Sequence, residues 1–197
     1  MKKILLITLF LSVGLSQNQV NINNLLEMGG KMFKENERKP FDGIVFDLSK
    51  ETGNIILEYR MVNGLKNGLY QEWSSDGILI KKGKYLNGIK IGLYQEWYAN
   101  GNSQSKGKYL NGIKIGLWTE WVGNTNQQKK EINYKDNNIR IETVYYRNGK
   151  KKSEVIYKGN DKDGIWTYWS ENGDRFIQEH IIMIISGSVH GQLDPCG

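Results

Sequence analysis

Along most of this chain apolar and polar residues alternate in short runs, and the runs recur. Gly68-Leu69-Tyr70-Gln71-Glu72-Trp73 returns at Gly92 to Trp97, and again as Gly116-Leu117-Trp118-Thr119-Glu120-Trp121 and Gly164-Ile165-Trp166-Thr167-Tyr168-Trp169. The first three start 24 residues apart, and the fourth starts 48 residues after the third. The intervening copy falls at Arg140, where Ile141 and Tyr145 keep the apolar places without the glycine. Four residues beyond the last aromatic come Gly77, Gly101, Gly149 and Gly173. Tyr85, Tyr109 and Tyr157 follow, the first two leading into Leu-Asn-Gly. A fixed period of this size marks a repeat array, which runs from about 41 to 175.

Each unit has room for two strands of about six residues and two turns, and none for a helix. The first strand alternates around aromatic residues; the second, such as Ser103 to Leu110, alternates around lysines. Asn-Gly is a strong hairpin signal because both residues tolerate positive φ. The expected fold is therefore all-β: a single-layer antiparallel β-meander of tandem 24-residue hairpins, about ten strands wide. Strand alternation puts Trp73, Trp97, Trp121, Tyr145 and Trp169 on one face and Tyr70, Tyr94, Trp118 and Trp166 on the other. The first column reads as structural packing into the gaps left by Gly68, Gly92, Gly116 and Gly164. The second column is then the accessible one and a candidate partner-binding surface.

The two ends differ from the array. Lys2-Lys3, the 12-residue apolar stretch Ile4–Leu15 and small residues Gly14 and Ser16 before Gln17 have the layout of a secretory signal. Twelve helical residues cover only about 18 Å of a roughly 30 Å hydrocarbon layer, which disfavours a membrane anchor. The expected localisation is periplasmic or secreted. Residues 17–40 form a polar lead-in, in which Leu25, Met28 and Met32 allow at most a turn or two of helix. Residues 176–197 leave the repeat, and Ile181 to Ile185 reads as a capping strand.

Composition narrows the function more than it names it. The 23 Gly, 11 Tyr and 6 Trp with only 2 Pro suit short strands and tight turns. Net charge is +6, and without Lys2 and Lys3 it is 25 − 21 = +4, too mild for a nucleic-acid footprint. Cys196 is the single cysteine, so no intramolecular disulfide forms. His180, His190, Asp194 and Cys196 match no metal-ligand spacing. No nucleophile elbow and no phosphate-binding glycine loop occurs. The chain reads as non-enzymatic and without a cofactor. Glu72, Glu96 and Glu120 alternate with Lys81-Lys82, Lys84, Lys106, Lys108, Lys129 and Lys130, as a solvated face of compensating charges. Lys150-Lys151-Lys152, with no acid in the run, is the best local candidate for binding anionic lipid or an envelope polymer.

Asn87-Gly88, Gly92, Tyr94, Trp97, Gly101, Gly107 and Tyr109, with their 24-residue equivalents, carry a resemblance to the MORN repeat. The pattern is most similar to the short bacterial variant found in YwqK-family antitoxins, over about two-thirds of the chain. The resemblance implies a single-layer β-meander that contacts partner proteins or membranes and has no catalytic residue. It departs from the pattern between Gly123 and Asn138: Thr125 stands in a glycine's place and Tyr134 comes one residue late, which predicts a bulge or kink. The preferred expectation is an exported module binding a protein partner or scaffolding at the envelope. The alternatives are an antitoxin or immunity protein masking a toxin, and a carbohydrate-binding module using an aromatic face.

Overall fold

A computed structural model describes residues 18–123, 128–136 and 138–179. The signal-like segment, Thr125 and the Ile181–Ile185 run lie outside them. Among the described residues fifteen strands are formed: β1 (Gln19–Asn21), β2 (Leu25–Met28), β3 (Lys31–Lys34), β4 (Gly43–Leu48), β5 (Ile55–Val62), β6 (Leu65–Trp73), β7 (Leu79–Leu86), β8 (Ile89–Trp97), β9 (Ser103–Leu110), β10 (Ile113–Val122), β11 (Gln128–Tyr134), β12 (Ile139–Tyr145), β13 (Lys151–Lys158), β14 (Asp161–Trp169) and β15 (Arg175–Glu179). β4 to β15 pair in chain order and β1 lies parallel against β4, giving a 13-stranded sheet. Every other neighbouring pair is antiparallel, so the fold is the meander that the alternation predicts. Eleven strands, β4 to β14, lie within the array against the roughly ten expected, and β15 extends the sheet into the tail.

The lead-in departs from the helical spacing. β2 and β3 form a separate two-stranded hairpin around Gly29-Gly30, whose φ values of 58° and 74° are those of a tight two-residue hairpin turn. The pair of glycines outweighs the spacing of Leu25, Met28 and Met32. Among the described residues the helical element is one 3-10 turn, Ile22–Asn24.

The two turn types of the repeat differ in a way the dipeptide alone conceals. At Asn63-Gly64, Asn87-Gly88 and Asn111-Gly112 both residues have positive φ, as a two-residue hairpin needs. At Asn100-Gly101 only the glycine does, at 84°. The Gly101 amide donates to the Tyr98 carbonyl, closing a longer loop.

Inside each first strand the glycine makes a bulge. Residues 92–94 of β8 stand opposite the single residue Gly83 of β7. Residues 116–118 of β10 likewise stand opposite Gly107 of β9. Gly92 and Gly116 have φ of 64° and 60°, a region closed to most side chains. By contrast β10–β11 and β11–β12 pair without a register shift. The bulge or kink expected around Tyr134 is therefore not in these ladders. The strand that lost its glycine, β12, meets the strand before it without a bulge, since without that residue it has no cheap way to bulge there. Its register shift falls instead at Val144/Tyr145 against β13.

Two buried clusters hold the sheet. Val20, Leu25 and Phe41 of the N-terminal segment pack on Val45, Tyr59, Met61 and Tyr70. Farther along, Tyr94, Trp118 and Ile132 form the second. Ile132, one place late like Tyr134, occupies the position that Gly83 and Gly107 hold in the preceding units.

Candidate functional site

The aromatic columns are arranged opposite to the sequence expectation. Tyr70, Tyr94 and Trp118 are 7%, 4% and 2% exposed, and Trp166 is half-buried. Trp73, Trp97, Trp121, Tyr145 and Trp169 are the less buried set. The cause lies in the second strand of each hairpin. A Cβ on Gly83 would sit 2.3 Å from the Tyr94 ring, and one on Gly107 would sit 2.1 Å from that of Trp118. These two glycines leave slots that the aromatic rings fill. Gly92 and Gly116 have open space around them and supply backbone conformation only. Tyr70, Tyr94 and Trp118 therefore offer little ring surface to a ligand, and the exposed apolar surface lies elsewhere.

The packed face has a periodic feature that the sequence reading passed over. Lys66, Lys90, Lys114 and Lys162 recur on the 24-residue grid and lie over the rings of Tyr70, Tyr94, Trp118 and Trp166 at 4.8, 4.3, 4.2 and 4.2 Å. Each lysine precedes its ring by four residues, which in a straight strand would be roughly 13 Å. The glycine bulge between them brings the two together. Arg140 takes the same role over Tyr157, at 4.2 Å. Edge-on ring contacts join Tyr94 to Tyr109 and Tyr109 to Trp118, with centroids 5.4 and 5.0 Å apart.

The glutamates share this face. In register across the strands run Glu72, Lys81, Glu96, Ser105, Glu120 and Lys130. Lys81 pairs with Glu72 at 2.8 Å, and Lys130 with Glu142 at 3.0 Å. Ser105 stands where the period would place a lysine. A cavity of about 280 Å³, lined by Tyr94, Glu96, Ser105, Tyr109, Lys114, Trp118 and Glu120 among others, opens there.

Burial sets the titration of side chains on both faces. It pushes the Tyr59 hydroxyl up to about 12. Burial first, then the hydrogen bond to Glu131, pushes Tyr145 up to about 12. Tyr70 and Tyr94 are raised by burial above all, and Tyr70 also donates to Glu72. Burial holds Lys66 and Lys90 below the usual lysine range. For Glu72, Glu131 and Glu142 burial works to raise the pKa, but hydrogen bonds and nearby cations outweigh it and hold all three below the usual carboxylate range. A raised tyrosine stabilises the fold below its unfolded pKa of about 10, and that contribution is lost as pH rises from about 10 towards 12. The lowered carboxylates stabilise above their unfolded pKa of about 4.3, and lose that contribution as pH falls through their folded values. Thermal stability is therefore expected to be flat between about pH 5 and 9 and to fall above about pH 10. Phenolate absorbance should show a tyrosine fraction that titrates only with unfolding. Complete tyrosine titration near pH 10 in the folded protein would contradict this packing.

The opposite face is unlike the first. Leu69, Leu93, Leu117 and Ile165 each directly precede a packed aromatic, so they point the other way, and all are exposed. Lys82 and Lys84 flank Gly83, and Lys106 and Lys108 flank Gly107, which puts these four lysines on the same outer face. Register sets Leu69 opposite Lys84 and Leu93 opposite Lys108. A depression of about 540 Å³ there is lined by Leu93, Lys106, Lys108, Ile115, Leu117 and Trp121 among others. The compensating charges read from sequence are thus only partly brought together, because these lysines and the glutamates Glu72, Glu96 and Glu120 are on opposite sides of one sheet.

The Lys150–Lys152 run is not a free basic cluster either. Lys151 pairs with Glu154 at 2.6 Å, Lys150 Nζ donates to the Asn172 carbonyl at 3.2 Å, and Lys152 lies over Tyr146. The acid missing from the linear run is supplied by the strand itself, three residues on.

Among the described residues no group of His, Cys, Asp and Glu assembles as a metal site, and no helix is long and apolar enough to cross a membrane. His180, His190, Asp194 and Cys196 lie outside them. Comparison with models of known protein families, and with curated proteins, found no match.

Proposed function

We propose that this chain is an exported, non-enzymatic repeat module that binds a protein partner through the outer face of its sheet. One observation carries the reading: an apolar column at Leu69, Leu93 and Leu117 stays exposed on one face, while the aromatic column one residue along is packed away. An apolar surface that recurs in successive units is costly to leave in water and characterises a contact surface. Ile115 and Ile113 widen it, at 37% and 69% exposure. The likeness to MORN-type repeats points the same way, and the layout of residues 1–16 supports export.

Cross-linking in intact cells followed by mass spectrometry tests both parts. The wild-type chain should begin at Gln17 and yield cross-links to a defined partner. Leu93→Gln with Leu117→Gln should reduce those cross-links at least tenfold with an unchanged melting temperature, since both side chains are exposed. Undiminished cross-links in the double variant would refute the outer face as the binding surface. A chain retaining Met1 would refute export.

A further inference from the structure

Charge on the outer face specifies the partner's chemistry, given that this face is the binding surface. In β6–β10 that face carries Leu65, Asn67, Leu69, Gln71 and Trp73, then Lys82, Lys84 and Leu86, then Ile89, Ile91, Leu93, Gln95 and Trp97. The remaining two strands add Lys106, Lys108 and Leu110, then Ile113, Ile115, Leu117, Thr119 and Trp121. Four lysines stand there and no Asp or Glu. Their side chains are exposed. Beyond these strands the balance returns: Glu58 and Arg60 share the outer face of β5, Lys129 pairs with Glu131 at 2.7 Å, and Lys151 with Glu154. The basic patch is therefore local, bounded in its own register row by Glu58 opposite Gln71 and Glu131 opposite Thr119. It coincides with the exposed leucines and the 540 Å³ depression.

We infer that the outer face of β6–β10 docks a protein surface that combines carboxylates with apolar side chains. Strand geometry puts Lys82 and Lys84 about 7 Å apart and Lys82 and Lys106 about 10 Å apart. Neighbouring charges are about 7–10 Å apart, comparable with the screening length of about 8 Å at physiological salt, so nearest lysines repel one another and an acidic partner relieves that repulsion. A second copy of this chain does not fit, because two such faces would set eight lysines against each other. Gln71, Lys82, Gln95, Lys106 and Thr119 follow one another in register, a row of groups able to donate hydrogen bonds to carboxylates. Twist distinguishes a protein from a bilayer. At roughly 20° per strand the four steps from β6 to β10 turn the face by about 80°, which a flat membrane cannot follow across its width and a protein surface can.

The test uses three immobilised probes: a synthetic peptide alternating Glu and Leu, the same peptide with Gln for Glu, and phosphatidylcholine vesicles containing phosphatidylglycerol. The purified protein should bind the acidic peptide at least tenfold more tightly than the Gln peptide, with the preference disappearing at high salt. Replacing Lys82, Lys84, Lys106 and Lys108 by Gln should abolish the preference without changing the melting temperature. The same four replacements at Lys66, Lys90, Lys114 and Lys162 serve as the charge-matched control and should leave it in place. Equal binding of both peptides, or indifference to the outer-face lysines, overturns the acidic partner. Lysine-dependent vesicle binding without peptide preference overturns it in favour of a membrane. Either result leaves the broader reading standing if the Leu93/Leu117 variant still loses its cellular cross-links, so the two failures are distinguishable.

Discussion

Gly107→Ala is expected to destabilise this protein by about 2–3 kcal/mol, a large cost for adding one methyl group. The new Cβ would lie 2.1 Å from Trp118 Cδ2 and 2.2 Å from Cε2. The indole has little room to retreat. Its Nε1–H donates to the Lys108 carbonyl at 3.1 Å, Tyr109 meets it edge-on, and Lys114 covers it at 4.2 Å. Trp118→Ala alone should cost about 3–5 kcal/mol. In that background the slot is empty, and Gly107→Ala should cost less than about 0.5 kcal/mol, a coupling of about 2 kcal/mol. Chemical denaturation of the four proteins measures it. Additive effects would show that ring and glycine do not form the unit described. Gly101→Ala is the comparison: its surroundings are open and only its φ of 84° opposes a side chain, so about 1 kcal/mol is expected.

Gly116→Val should be the next most damaging change, at about 2 kcal/mol, for a different reason. Nothing lies within 4 Å of an added Cβ, so there is no clash to relieve. The cost is backbone strain, because a β-branched residue at φ 60° is a strong outlier. Substitutions should rank Val worst, then Ala, then Asn, since asparagine tolerates this conformation and adopts it at Asn63, Asn87 and Asn111. Val should also release Lys114 from Trp118, because straightening the bulge draws them apart. Equal melting temperatures for the Val and Asn variants would mean that the bulge does not require the left-handed backbone.

The contrast between these two glycines shows how far the sequence could be read. Periodicity and Asn-Gly turns were enough for the meander, because a hairpin repeat is a local pattern and local signals survive in a linear string. The assignment of faces was not legible. Tyr94 and Trp97 are both large aromatics on opposite sides of β8, and alternation does not say which side is packed. That depends on the neighbouring strand, where Gly83 and Gly107 leave slots only for the column of Tyr94 and Trp118. The 24-residue recurrence of Lys66, Lys90, Lys114 and Lys162 was visible in the string, but its meaning depends on a bulge that brings residues four apart into contact. Charge was misread for the same reason: Lys81 and Lys82 are adjacent in sequence and point to opposite faces. In the lead-in, Leu25, Met28 and Met32 kept helical spacing while Gly29-Gly30 turned the chain into a hairpin.

The most direct test of the two-faced sheet is the reactivity of individual lysines towards an acylating reagent, read by mass spectrometry on the purified protein and in intact cells. Rates are corrected for the free-amine fraction, which is larger for Lys66 and Lys90 because burial lowers their pKa. In the purified protein Lys82, Lys84, Lys106 and Lys108 should then label several-fold faster than Lys66, Lys90 and Lys114, which lie over aromatic rings. In cells the first group should become protected several-fold, while the second stays as slow as before. Uniform labelling of both groups in the purified protein, or outer-face lysines equally reactive in cells and in isolation, would contradict the account.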